Sequence, residues 1–183
     1  MATRSILANA EKGLFKVSRK VTDFDKRLHL LLDDMRETLI AANGLGLAAP
    51  QVSVLRRVAL IVDPTKNLPD EEADELTEEQ SLELYHSQII ELINPEIIKK
   101  EGEQTGREGC LSVPGVNGIV TRPNVVYLKA QDRNGKAFEL EVSELAARAA
   151  CHEVDHLDGI IFTTIADKIL TEEELAELMA ENE

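Results

Sequence analysis

The stretch CHEVDHLDG, residues 151–159, places two histidines four residues apart, with a glutamate directly after the first. On a helix of 3.6 residues per turn, His152 and His156 lie on one face, so both imidazoles can reach one metal ion. Glu153 lies about 100° round the helix from His152, close enough to act on a water molecule at the metal without being a ligand. The motif alone leaves open whether two histidines share a helix face by chance. If it is a catalytic zinc or iron site, it needs a third protein ligand.

Two sets of residues are candidates for that third ligand. Three glutamates at residues 172–174 follow the motif where some metallopeptidases place a glutamate ligand, although acidic residues also suit the first turn of any helix. Cys110 lies in REGCLSVPG, where Gly109 and Pro114 indicate a fixed loop or bulge rather than a regular strand. The place of a third histidine is taken by Phe162. The residues by themselves leave the cysteine and the glutamates open.

Composition limits the class of protein that carries this motif. The chain of 183 residues is 43% hydrophobic and 30% charged, which is ordinary for one domain with a sizeable core. Its net charge of −14 argues against direct DNA binding through a basic face. Since we find neither an export signal nor about 18 consecutive apolar residues, we expect a cytoplasmic protein without membrane contact. We also expect a monomer, although nothing in the sequence fixes the oligomeric state. In the cytoplasm the two cysteines favour a thiolate ligand over a disulfide.

Periodicity predicts the elements that must position the motif. Apolar residues at helical spacing predict a first helix in VTDFDKRLHLLLDDMRETLIAANG, with Thr22 or Asp23 as N-cap. The runs VALIVD, IIELINPEII, NVVYLKAQD and KAFELEV predict strands, and Asn134-Gly135 predicts a hairpin between the last two. From Ser143 as N-cap, ELAARAACHEVDHLD predicts a helix that ends at the following glycine. The motif therefore lies in the second half of a helix packed among strands.

Two acidic segments fall outside this pattern. We interpret residues near 66–88 as a solvated acidic insertion, in which His86 is a poor ligand candidate. Residues near 171–181 predict an acidic C-terminal helix, with Thr171 and Glu174 forming a capping box. Because no internal repeat or Pro/Gly-rich linker divides the chain, we expect residues 1–183 to form a single catalytic domain.

Three stretches occur together in one order: GLGLAAPQ at 44–51, EGCLS at 108–112 and HEVDH at 152–156. This combination resembles the peptide deformylases, from about the first helix to Phe162. The resemblance implies an α+β fold with antiparallel sheets around a central metal-binding HExxH helix, in agreement with the pattern above. It also implies an enzyme that removes the formyl group from the formyl-methionine of nascent polypeptides, with Fe²⁺ in the cell and Zn²⁺ or Ni²⁺ as substitutes.

Carried over by position, the resemblance also assigns roles to residues. It implies three metal ligands: Cys110, His152 and His156. It makes Glu153 the general acid and base, and Gln51 with the backbone N–H of Leu111 the donors to the oxyanion. The backbone around Gly46 would lie alongside the bound peptide. The implied partners are N-formylated nascent peptides and, through transient contact, the ribosome. Some members are thought to use a basic C-terminal helix for that contact, but TEEELAELMAENE has no Lys or Arg.

Two positions depart from the resemblance at the pocket for the first side chain. Arg148, one turn before His152, and Gly106, four residues before Cys110, stand where apolar residues are usual. A buried guanidinium beside methionine would have unpaired donors, and a glycine would open space for a longer or hydrated group. If the guanidinium reaches the pocket, both residues bind substrate and alter the preference for the first side chain. In the alternative, the stem of Arg148 packs and its head reaches water or pairs with a nearby carboxylate.

Two alternatives to this function remain on the sequence. One is an HExxH metallopeptidase whose third ligand is a late glutamate, and the other is a non-catalytic binding protein stabilised by metal. The presence of both Glu153 and Gln51 weighs against the second alternative, since a structural metal site needs neither.

Overall fold

The apolar run VALIV forms strand β2, Val58–Val62, in which every residue is buried. In this computed structural model, which describes residues 2–8, 11–68 and 76–180, Leu60 of β2 packs in one core cluster and Ile61 in another. Because strand side chains alternate between the two faces of a sheet, a continuous apolar run fits a strand that is covered on both sides.

Strand β2 belongs to an antiparallel sheet of five strands in the order β1-β2-β3-β6-β7. The other four strands are β1 Gly46–Ala48, β3 Ile89–Glu101, β6 Val125–Gln131 and β7 Ala137–Ser143. The four apolar runs predicted as strands are thus confirmed. The predicted hairpin joins β6 to β7, and Gly135 in its turn has a φ of 83°, which a glycine adopts without strain.

The strands of the second antiparallel sheet were not predicted. This sheet has three strands in the order β4-β5-β8, namely β4 Gln104–Cys110, β5 Val113–Arg122 and β8 Lys168–Ile169. Strand β4 is polar and contains two glycines, β5 has its apolar residues at irregular spacing, and β8 has only two residues. None of them shows the alternation of apolar residues that marks a strand in sequence. Val120 anchors this sheet in a separate cluster with Leu14, Ile161 and Phe162.

Helix α1, Lys26–Ala41, covers one face of the five-stranded sheet and buries Leu32, Met35 and Leu39 completely. Its N-cap is Asp25, whose carboxylate accepts hydrogen bonds from the second and third N–H groups of the helix. The predicted caps three and two residues earlier were therefore wrong. Any short polar residue before the apolar stripe can cap a helix, and the local backbone decides between neighbouring candidates.

Helix α3, Glu144–Leu157, covers the opposite face and carries the HExxH motif. Ala146, Ala147 and Ala150 face the sheet, and such small side chains let the helix lie close to it. Ser143 is the N-cap residue, although its side chain forms no capping hydrogen bond, and Gly159 follows the helix with a φ of 76°. Because α3 also contacts the three-stranded sheet, the predicted α+β fold with antiparallel sheets around the motif helix is confirmed.

Two further helices lie in the acidic segments, α2 Glu78–Gln88 and α4 Glu172–Ala180. Tyr85 of α2 donates a hydrogen bond to the carbonyl of Gly44, so this part of the insertion contacts the loop before β1. Thr171 and Glu174 form the predicted capping box. The predicted insertion and tail extend into residues 69–75 and 181–183, which lie outside the described residues. Within the described ranges, no helix has both the length and the apolar character needed to cross a membrane.

Candidate metal centre and active site

The two histidines of α3 meet the cysteine that ends β4. The Sγ of Cys110 lies 3.2 Å from Nε2 of His156, and the two imidazole centroids are 4.8 Å apart. One donor atom from each of Cys110, His152 and His156 lies within 4.8 Å of the others. A single ion can therefore contact all three, although the cysteine is more than 40 residues from the histidines.

A bulge sets the position of Cys110. The register of β4 against β5 shifts between Gly109 and Cys110, so that the cysteine pairs with Val113 across a tight turn. The backbone N–H of Ser112 then donates to the cysteine Sγ over 3.4 Å. The interpretation of this segment as a bulge is confirmed, but the two strands that flank it were missed.

The donor set fits a divalent metal ion. Nδ1 of His152 donates to Glu108 over 3.0 Å, which leaves Nε2 available for an ion. Nδ1 of His156 is buried without a hydrogen-bond partner among the described residues, while its Nε2 faces Cys110. Two imidazoles and a thiolate are ligands that zinc and ferrous ions accept, and three ligands leave a coordination position open for water or substrate.

Glu108 was missed as a site residue, although it lies inside the EGCLS stretch. Its side chain is only 3% exposed. It accepts hydrogen bonds from two guanidinium groups and one imidazole: Arg122 over 2.9 and 3.1 Å, Arg148 over 2.9 Å and His152 over 3.0 Å. Burial alone would raise the pKa of Glu108, but hydrogen bonds from His152 and Arg122 hold the pKa at about 2. This ionised carboxylate orients the imidazole of His152, and no sequence spacing links the two residues.

The guanidinium of Arg148 pairs with a carboxylate, which was the alternative to a role in recognising substrate. Its Nη1 donates to Glu108 (2.9 Å) and to the carbonyl of Val120 (3.0 Å), and its Nη2 donates to the carbonyl of Gln104 (3.1 Å). A Cβ at Gly106 would lie 3.2 Å from Nη2, so the guanidinium occupies the space that the glycine leaves. The expectation that Gly106 opens room for substrate is therefore wrong. Arg148 lines the cavity described below, and Gly106 does not.

Glu153 is buried beside this candidate metal site. Its side chain has no hydrogen-bond partner for Oε2 among the described residues, and the residue is 3% exposed. Burial raises the pKa of Glu153 to about 7. A carboxyl group with a pKa near neutrality can both accept and return a proton, which is the behaviour expected of a general acid and base.

The backbone of Gly46 packs directly against that carboxyl group. A Cβ built on Gly46 would lie 2.3 Å from Oε1 of Glu153 and 2.8 Å from its carboxyl carbon. Real Cβ atoms do not approach other atoms so closely, so residue 46 must be glycine if Glu153 is to keep this rotamer. The close approach explains Gly46 by packing, independently of any contact with substrate.

We predict that Gly46→Ala lowers kcat about 100-fold, because the new methyl group displaces the Glu153 carboxyl by about 1 Å. The measurement is steady-state kinetics together with the melting temperature. Gly13→Ala is a suitable control, since Gly13 lies outside the cavity lining and a Cβ there would meet only the Cδ1 atom of Leu7, at 3.2 Å. Equal kcat values for wild type and Gly46→Ala would show that Glu153 can move freely.

Gln51 lies on the other side of Cys110 and is 1% exposed. Its Oε1 accepts a hydrogen bond from the backbone N–H of Ala48 over 2.8 Å, which fixes the orientation of the amide. Its Nε2 consequently lies 3.2 Å from the hydroxyl of Ser112 and 3.6 Å from Sγ of Cys110. A fixed N–H donor at this position can contact an oxygen atom at the metal.

A cavity of about 370 Å³ opens onto these groups. It is bounded by the edge strands of both sheets, with Gly46 of β1 on one side and Gly109 of β4 on the other. Gln51, Leu111 and Glu153 also line it. All the residues to which the sequence assigned catalysis or metal binding, other than the buried His156, therefore line one cavity.

The three late glutamates lie elsewhere. Glu174 contacts Lys168 and the backbone N–H of Thr171, and the residues at 172 and 173 are exposed in the first turn of α4. None of the three belongs to the group of donor atoms around His152. Their positions fit the interaction of acidic side chains with the helix dipole, and they give no support to a metallopeptidase with a glutamate ligand.

Comparison with known proteins gives one consistent result. Residues 3–172 match the model of the family described as polypeptide deformylase. The chain is 46% identical over 175 residues to a peptide deformylase from Acetivibrio thermocellus, covering 96% of this chain and 90% of the relative. It is also similar to the crystal structure of a peptide deformylase from Legionella pneumophila (TM-score 0.74, 36% identity, 99% and 92% of the two chains). A Met-Ala-Ser bound crystal structure of a peptide deformylase from Acinetobacter baumannii has a TM-score of 0.74 at 30% identity, over 90% and 99% of the chains.

Proposed function

Because the chain belongs to the polypeptide deformylase family and removes the N-terminal formyl group from nascent polypeptides, we propose that it does so at the cavity between β1 and β4. The observation that carries this assignment is the meeting of three donor atoms with a buried carboxyl group whose Oε2 has no hydrogen-bond partner among the described residues. Cys110, His152 and His156 are the proposed ligands, and Glu153 is the proposed acid and base.

The family depends on a metal ion, and we propose one divalent ion per chain, Fe²⁺ in the cell with Zn²⁺ or Ni²⁺ as substitutes. When bound, this ion supplies Lewis-acid activation of water and of the formyl oxygen. The cysteine ligand contributes a soft thiolate, which suits ferrous and other borderline ions better than a carboxylate would as the third ligand. The same sulfur is open to oxidation, so activity should be measured under reducing conditions.

Glu153 moves the proton in the proposed reaction. Its carboxylate takes a proton from the attacking water, while a C–O bond forms at the formyl carbon. The C–N bond then breaks, Glu153 returns the proton to the leaving amine, and formate is released. The buried position of the carboxyl and its pKa near 7 support both halves of this transfer.

Gln51 and Leu111 stabilise the charge that grows on the formyl oxygen. The side chain of Gln51 is held by Ala48, so its Nε2 donor needs no reorganisation during the reaction. The backbone N–H of Leu111, which follows the bulge and lines the cavity, is the proposed second donor. Each such donor contributes roughly 2.7 to 4 kcal/mol to transition-state stabilisation in comparable sites.

The peptide is proposed to bind as an additional strand. Both β1 and β4 are edge strands of their sheets, and an extended chain can pair with the outer side of an edge strand. The glycines at 46 and 109 have no side chains that would keep a peptide away from these edges. Main-chain hydrogen bonds then supply affinity for any sequence, as an enzyme that acts on many nascent chains requires.

The first side chain is proposed to be methionine. Leu145 and Ala149 line the cavity beside Arg148, whose guanidinium is already bonded to Glu108 and to backbone carbonyls. Since those donors have partners, an apolar side chain can bind beside them without the penalty that unpaired donors would impose. Arg148 thus forms part of the pocket wall and does not select a polar first residue.

A formate-release assay on formyl-Met-Ala-Ser amide, with ferrous protein kept under reducing conditions, tests the function. We expect release of one formate per peptide and retention of the Met-Ala bond. Cleavage of the peptide backbone instead would indicate the metallopeptidase. Binding of the peptide without release of formate would indicate the non-catalytic binding protein.

We also propose that ribosome contact, if it accompanies this function, does not use α4. The segment contains six glutamates in residues 171–183 and no Lys or Arg with which to contact phosphates. Removing residues 171–183 is therefore expected to leave co-sedimentation with ribosomes unchanged at physiological salt. A clear loss of co-sedimentation on truncation would show that the acidic helix is a contact.

A further inference from the structure

Arg107 lies on β4 at the outer part of the substrate cavity. Successive residues of a strand point to opposite faces, and while Glu108 is buried against α3, Arg107 is exposed and lines the cavity. Asn117 of the paired strand β5 also lines it and accepts a hydrogen bond from Nη1 of Arg107 over 3.4 Å.

Among the described residues, two arginines line the cavity, Arg107 and Arg148, and they differ in their partners. Arg148 is paired with Glu108. Within the described part of the chain, no carboxylate forms an ion pair with Arg107. The chain has 34 acidic and 20 basic residues, so an arginine without such a partner at this entrance is a local exception to the charge of the whole protein.

We propose that Arg107, together with Asn117, binds a carboxylate of the substrate beyond its first side chain and so determines specificity there. The inference rests on the proposed function. Arg107 precedes Cys110 by three residues, about 10 Å along the strand. A peptide that pairs with the edge of β4 and has its formyl group at the metal site therefore has its second or third residue beside Arg107. A guanidinium and an amide NH₂ are both donors suited to a carboxylate.

The carboxylate has two sources, an Asp or Glu side chain or the C-terminus of a short peptide. Four substrates separate them: formyl-Met-Ala-Asp amide, formyl-Met-Ala-Gln amide, formyl-Met-Ala-Lys amide and formyl-Met-Ala-Gln with a free C-terminus. A parallel set with the variable residue in second position locates the subsite. For each peptide, kcat/KM is measured at low and at high salt.

We expect wild type to favour the Asp amide over the Gln amide by about two- to fivefold at low salt, and to disfavour the Lys amide. Arg107→Gln should abolish this ranking and Arg107→Glu should reverse it. A preference for the free acid over the Gln amide that also depends on Arg107 would show that the C-terminus can use the subsite.

Arg19→Glu is the matched control, since Arg19 is exposed, lies outside the cavity lining and gives the same change in net charge. It should leave the ranking as in wild type. Equal kcat/KM values for the Asp, Gln and Lys amides in wild type, or an equal effect of Arg19→Glu and Arg107→Glu, would overturn the subsite. Failure to release formate from the neutral Gln amide would instead count against the proposed function.

Discussion

Glu153→Gln is expected to lower kcat by about 10²- to 10⁴-fold while the metal content stays close to that of wild type. Glutamine keeps the size and shape of the side chain but cannot accept a proton. The carboxyl is buried against Gly46, and its Oε2 has no partner among the described residues, so an amide can occupy the same space. The measurement is kcat for formate release, with metal per chain and melting temperature determined on the same preparation.

Glu177→Gln is the control for this substitution, because Glu177 is an exposed residue of α4 far from the cavity lining. It should have the kcat of wild type. If Glu153→Gln keeps activity within a few fold of wild type, another group must move the proton. If it loses metal as well as activity, the role of Glu153 is structural.

Cys110→Ser is expected to weaken metal binding by at least about 100-fold. This loss of metal affinity exceeds the loss caused by removing a group that only orients a metal ligand. The hydroxyl that replaces the thiolate is a harder and weaker donor. The remaining donors, His152 and His156, cannot complete the site alone. Metal content after dialysis against a weak chelator is the measurement, and activity should fall in parallel with it.

Cys151→Ser is the matched control, since it removes the other cysteine from the same chain. Cys151 is buried in the α3 core cluster, and burial raises the pKa of its thiol, so it is a packing residue outside the group of donor atoms. This variant should retain one metal ion per chain. Full metal content in Cys110→Ser, combined with loss of metal when residues 172–174 are changed to glutamine, would contradict the ligand set.

Several features followed from the sequence because neighbours along the chain decide them. The spacing of His152 and His156 puts both on one face of any helix. The VALIV run and the turn at Asn134-Gly135 each depend on a few consecutive residues, and both were predicted correctly. Strands β4 and β5 were not predicted, because neither shows the apolar alternation that marks a strand in sequence and only the pairing between them makes them strands.

The partners of single polar groups were decided by the tertiary structure. Arg148 is one turn before His152 in any helix, but whether its guanidinium faces substrate, solvent or a carboxylate depends on its rotamer and on what lies across the helix. Only packing β4 against α3 brings Glu108 within 3.0 Å of His152 and 2.9 Å of Arg148. Local periodicity therefore determined which face of its helix or strand each residue occupies. A charge that is removed from water is stable only where the fold supplies its partner. The pairing of the buried charges was therefore decided only when the two sheets were assembled around α3.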